Sequence, residues 1–251
     1  MILKRILKLL FSHKNTEKKF FDNSLDSKFI IEFIGPSGIG KSTLFKEYFS
    51  KADFNFYTQY DIFKIKYKLG EQNILSSIYK ELLFNKHHNL LERAYNAYVS
   101  TELLNYFTKI VSEDIIIQNS HKDFGFILEE GIVHNFSMEL LQLTNEHLSL
   151  LLKNRIIVYL RPENPNLIVQ RIKKRANDGG HTVIHHNNKT YEELLNIAIQ
   201  SIVIFDKLID KLKELNIPYL QIIAEENNGC DKLESFFYAN KDLLVNSKHI
   251  Q

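Results

Sequence analysis

A single cysteine, Cys230, among 251 residues rules out an intramolecular disulfide and any paired-cysteine metal or redox motif. The expected compartment is therefore reducing and cytoplasmic. No apolar run approaches the roughly 18 to 20 residues needed to span a bilayer. The charge is nearly balanced, 32 basic against 30 acidic side chains, which lacks the one-sided excess of a nucleic-acid-coating protein. No nucleic-acid partner is expected, and any basic site must be local. Arginine is scarce as well: Arg5, Arg93, Arg155, Arg161, Arg171 and Arg175 are all of them, and three fall between positions 161 and 175. There is no internal repeat and no low-complexity tract.

What remains is ordinary globular usage, with 44% hydrophobic and 25% charged residues, enough to bury one sizeable core. The first residues, MILKRILKLLF, place Leu3, Ile6, Leu7 and Leu10 at helical spacing with Lys4, Arg5 and Lys8 between them. The lysines and arginine interrupt the apolar stretch and no small-residue cleavage site follows, so the segment reads as a retained amphipathic helix rather than a signal peptide. Two uses stay open for residues 1–11: packing on protein, or peripheral docking on an anionic membrane. Residues 1–25 read as this extension and a polar tether, and 26–251 as one folded domain.

Within that domain short β-branched runs alternate with helix-period segments, the pattern of βαβ units around a parallel sheet. Strands are predicted at Phe29–Ile34, Asn55–Thr58, Gly125–Leu128, Ile156–Leu160 and Tyr219–Ile223. A helical insert over about 62–118 separates the second from the third. The fold class expected is three-layer α/β/α on a five-stranded parallel sheet.

Directly after the first strand stands Gly35-Pro36-Ser37-Gly38-Ile39-Gly40-Lys41-Ser42, a complete GxxxxGK[ST] match followed by Thr43 and a helix-forming stretch. Glycines let backbone amides close around an anion at a helix N-terminus, whose partial positive charge favours phosphate. Lys41 would then reach the β and γ phosphates of ATP, the Ser42 hydroxyl would hold Mg²⁺, and Thr43 would face the α phosphate.

The third strand ends in two carboxylates, FILEEG. Ligands of parallel sheets bind at the carboxyl ends of strands, so Glu129 is expected in the metal shell with Ser42, and Glu130 as the base for an acceptor hydroxyl or water. Arg171 and Arg175 lie four apart on one helix face and open a polar stretch with the composition of a lid, about 171–190. Guanidinium groups there would offset charge on a transferring phosphoryl group. The histidines of that stretch, His181, His185 and His186, lack a carboxylate or cysteine partner and read as a solvated loop rather than a metal site.

The GPSGIGKST loop, the FILEEG strand and the segment VYLRPENPNLIVQRIKKR together resemble the thymidylate kinase and deoxynucleoside kinase group of phosphate-loop (Walker A) kinases, over roughly Ser27 to Leu244. The resemblance implies that the 62–118 insert binds an acceptor and that the lid supplies Arg171 and Arg175. The chain departs where that group usually carries Asp-Arg and this one has Glu129-Glu130-Gly131. An added carboxylate repels an anionic acceptor, which favours a neutral hydroxyl. Asp61, Arg93 and His134 are further acceptor contacts to test. The function expected is ATP- and Mg-dependent phosphoryl transfer to a hydroxyl of a nucleoside, nucleotide or sugar-like small molecule. The alternative is a nucleotide-binding switch or regulatory ATPase docking a membrane or protein partner. Missing NKxD, DxxG and LSGGQ sequences argue against its GTPase and ABC-type versions.

Overall fold

The β-branched and aromatic runs become strands of an all-parallel sheet. A computed structural model describes residues 29–48, 57–62, 74–92, 96–120, 125–179, 186, 189–226 and 229–239. The strands are β1 (Ile30–Ile34), β2 (Tyr57–Thr58), β3 (Phe126–Leu128), β4 (Arg155–Arg161) and β5 (Tyr219–Ile223), in the order β2-β3-β1-β4-β5. The chain leaving β1 runs to one edge and the chain leaving β4 to the other, so their carboxyl ends border a crevice.

Helices cover both faces because residues of a strand alternate sides. On one face Ile34, Ile157 and Tyr159 pack with Ile78 and Leu82 of α2 (Ile74–Leu91) and Val111 of α3 (Ala97–Asn119). The same cluster takes Ile132, Leu140 and Leu148 from three short helices, α4 (Ile132–Asn135), α5 (Ser137–Gln142) and α6 (Asn145–Leu151). On the other face Ile31, Phe33 and Val158 pack with Phe45 of α1 (Lys41–Tyr48), Val169 of α7 (Pro165–Asn177) and Leu233 of α9 (Gly229–Ala239). Helix α8 (Tyr191–Glu214) joins both clusters, with Leu194 in the second and Leu208 in the first.

Sequence-local signals set the helix ends. Asn96 caps α3 by accepting the Val99 N–H, and Pro165 opens α7 at a position whose N–H has no helical partner. Thr190 and Glu193 form a reciprocal capping box at α8. The insert is helical as predicted over α2 and α3. The amphipathic N-terminal segment and tether, residues 63–73 of the insert, Arg93, and the lid residues His181 and His185 lie outside the described residues. Among the described residues no helix is long and apolar enough to cross a membrane.

Candidate functional site

Where β1 gives out, the chain must turn off the sheet beside β4. Gly35 does so at φ +139°, and a Cβ there would stand 2.4 Å from the Leu160 carbonyl oxygen, so only glycine fits. The loop is then pinned from inside by Ile39, whose N–H donates to the Pro36 carbonyl at 3.3 Å and whose side chain is buried with Phe33 and Ile168. Ser37 and Gly38 form its outer turn, with Gly38 against Ile172 of α7. Gly40, at φ +109°, leads into α1. The first in-helix bond is Leu44 N–H to Gly40 O at 3.0 Å. The amides of Lys41, Ser42 and Thr43 precede it and so open the helix N-terminus, the end that carries partial positive charge.

Lys41 is buried, 4% exposed, and its Nζ donates to the carbonyls of Gly35 at 2.9 Å and Pro36 at 3.3 Å. It also pairs with Glu130 Oε1 at 3.2 Å. Burial pulls the Lys41 pKa down, opposed by the Glu130 charge and hydrogen bond. β3 pairs with β1 in parallel register, Glu32 opposite Leu128, which brings the carboxylates after β3 to the same end of the sheet as the loop. There the Ser42 hydroxyl donates to Glu129 Oε1.

The two adjacent carboxylates behave oppositely. Partial burial raises the Glu129 pKa, and the charge of Glu130 raises it further. Burial also pushes Glu130 up, but nearby cations outweigh it and the net shift is downward. His134 leads those cations, followed by Lys41, and His134 itself is held neutral down to a pKa of about 3 by burial. The His134 Nε2 lies 3.5 Å from Glu130 Oε1, and its ring stacks on Phe205.

From the other side of the crevice Arg171 Nη1 donates to the Ile39 carbonyl at 2.5 Å, placing a guanidinium on the loop itself. Arg175, one turn on and exposed, lies near enough for its charge to depress the pKa of both Lys41 and Glu130. Every residue of the loop, both glutamates and both arginines singled out from the sequence thus fall at one end of the sheet. Ser42 and Glu129 offer hard oxygen donors side by side, suited to Mg²⁺ completed by phosphate and water oxygens. The loop amides and Lys41 fit a polyphosphate. Among the described residues no cluster of three or more His, Cys, Asp or Glu is placed to hold a metal ion by protein ligands alone.

The acceptor contacts fare unevenly. His134 reaches Glu130, but Asp61 Oδ2 accepts the Thr58 hydroxyl at 2.8 Å and closes the turn after β2. Tyr106 of α3 was not singled out: its hydroxyl donates to Asn135 at 3.2 Å, and burial followed by the Glu130 charge pushes its pKa up to about 12. Gln59, also missed, accepts the Glu129 N–H at 3.3 Å. Beneath them Glu32, Arg155, Asp114 and Tyr79 form a buried polar chain. Its one sequence signal was a carboxylate inside the apolar run IIEFI. Arg161, the remaining arginine of the 161–175 stretch, makes a two-pronged pair with Asp206 at 2.9 and 3.0 Å. No family model matches the chain, and no curated protein matches it.

Proposed function

We propose that this chain is an ATP- and Mg²⁺-dependent phosphotransferase of the phosphate-loop class, acting on a hydroxyl of a small, uncharged acceptor. The observation that carries the reading is convergence: Lys41, Ser42, Glu129, Glu130 and Arg171 come from segments up to 130 residues apart (171 − 41) and meet at the carboxyl ends of β1 and β3. A glycine turn with no ligand would need none of these five side chains.

In this reading the loop amides and Lys41 hold the β and γ phosphates, and Ser42 with Glu129 holds the metal, which neutralises phosphate charge when bound. Arg171 and Arg175 add positive charge from the lid side. Glu130, ionised at neutral pH because its pKa is depressed, accepts the acceptor hydroxyl's proton. A weakly basic carboxylate suffices, since a loose phosphoryl-transfer transition state asks more for positioning and charge than for a strong base. The added carboxylate of Glu130 at the acceptor side disfavours an anionic substrate. Tyr106 and Asn135 present hydrogen-bonding groups of the kind a neutral polyhydroxy compound uses.

The test is direct. Protein, Mg²⁺ and γ-labelled ATP are incubated with nucleosides, sugars and related alcohols, and with no acceptor at all. Acceptor-dependent transfer, lost in Lys41→Ala, is the expected result. ATP binding without transfer to any acceptor would contradict it, and acceptor-independent hydrolysis would favour the regulatory ATPase. Deleting residues 1–20 then asks whether membrane or partner association is lost while turnover stays.

A further inference from the structure

Glu32 lies in the middle of β1 with no exposed side-chain surface, where the neighbouring strand residues are all apolar. A carboxylate at such a place needs all its bonds supplied by protein. Its Oε2 accepts from Arg155 Nη1 at 2.6 Å, and its Oε1 accepts two backbone amides, those of Gly131 at 3.1 Å and His134 at 2.9 Å. The Gly131 amide belongs to the same peptide plane as the carbonyl of Glu130. Glu32 therefore grips the backbone immediately after Glu130, while Gln59 grips the amide of Glu129 just before it. The contact is tight. A Cβ on Gly131 would fall 2.7 Å from the Glu32 carboxyl carbon, although the Gly131 backbone angles are not of the left-handed kind.

Glu32 is itself held from the insert side. Arg155 Nη2 donates to Asp114 Oδ1 of α3 at 2.5 Å, and the hydroxyl of Tyr79 on α2 donates to Asp114 Oδ2 at 2.6 Å. All four side chains are buried, so the chain Tyr79–Asp114–Arg155–Glu32 runs dry from the two insert helices to the amides beside Glu130. Both carboxylates are bonded through each of their oxygens, although the Arg155 Nε has no partner among the described residues, and such buried polar bonds fix geometry more sharply than apolar packing does.

We propose that Glu32 is a positioning residue for Glu130, and that the Arg155–Asp114–Tyr79 chain ties the placement of that carboxylate to the docking of the insert helices. The proposal deepens the phosphotransferase reading and rests on it for the catalytic consequence. Its structural half stands apart: moving the Glu32 carboxylate moves Glu130 relative to Lys41 and His134.

Glu32→Asp is the chosen variant, because it keeps a charge facing Arg155 while withdrawing the carboxylate by one methylene from the Gly131 and His134 amides. Two readouts are taken on the full chain. In ¹⁵N-labelled protein the His134 Nε2 resonance, assigned with His134→Gln, should shift in E32D in the direction that Glu130→Gln shifts it. In steady-state turnover kcat should fall about 10- to 100-fold with KM for ATP nearly unchanged, and the loss should vanish in the Glu130→Gln background. An unmoved His134 signal, or an equal loss of kcat in both backgrounds, would overturn the proposal. If E32D does not fold, Gly131→Ala perturbs the same contact with every charge retained, and the same outcomes apply. Should the wild type transfer phosphate to no acceptor, the functional reading falls while the His134 resonance still decides the placement of Glu130.

Discussion

Two charged clusters lie within a few residues of each other along β1 and β3, and they treat the same residue types differently. In the buried one Arg155 faces Glu32 and Asp114, and the carboxylate oxygens are partnered by guanidinium, tyrosine hydroxyl or backbone amide. Burial lowers the Arg155 pKa and raises that of Glu32, yet the carboxylates outweigh it and hold the guanidinium firmly charged. In the open cluster Glu129 and Glu130 stand side by side at a strand end, one pKa pushed up and the other down. In the first cluster the protein itself partners every carboxylate oxygen, and the cluster sets geometry. The second carries like charges together beside Lys41 and a serine hydroxyl, a repulsion that a divalent cation would relieve.

Removing the cation of the buried cluster should have the largest effect. Arg155→Met leaves two buried carboxylates without their cation, and we expect a loss of about 3 to 5 kcal/mol in urea unfolding, enough to unfold a marginal domain. A loss below about 1 kcal/mol would mean that the buried chain is not a stabilising frame. Next in size is a pH effect at the boundary between the clusters. His134 is held neutral to a pKa of about 3, whereas the unfolded chain protonates near 6.5, so the unfolded state binds the extra proton as pH falls through that window. Stability contributed by His134 is complete above pH 6.5 and should decline by about 2 kcal/mol by pH 4.5. Thermal melts of wild type and His134→Gln across this range check the sign: the variant should show the shallower decline. Smallest is Glu129→Gln. Relieving like-charge repulsion at a half-exposed site should raise the stability of the ligand-free protein by a few tenths of a kcal/mol. The Mg²⁺ dependence of ATP binding, followed by calorimetry with and without the metal, should largely disappear in the same variant.

The comparison also explains what was legible in the sequence. Strands β1, β3, β4 and β5 came out within one residue because each is a short apolar run bounded by turn residues, as Gly35-Pro36 bounds β1, whereas Asn55 and Phe56 of the second predicted strand lie outside the described residues. The loop was legible because its chemistry is contiguous: glycines, lysine and serine follow one another. Glu129 and Glu130 could be placed beside Ser42 only on the assumption that β3 neighbours β1, and the register bears out that adjacency.

The buried chain was not legible. Glu32 and Arg155 are 123 positions apart, and Asp114 sits in a helix where an acidic residue ordinarily reads as solvated face. Their meaning depends on β1 pairing with β4 and on α3 packing over both, which no local pattern encodes. The partner of Arg161 was equally hidden, since Asp206 lies 45 residues further along the chain.

The central claim is that the loop after β1 wraps the triphosphate of a magnesium nucleotide and that Lys41 grips it. Isothermal calorimetry of the full-length protein with MgATP tests this before any acceptor is known. One nucleotide should bind per chain, with affinity falling about 10- to 100-fold in Lys41→Met while urea unfolding shows the variant still folded. Absence of binding by the wild type, or undiminished binding by Lys41→Met, would contradict the account.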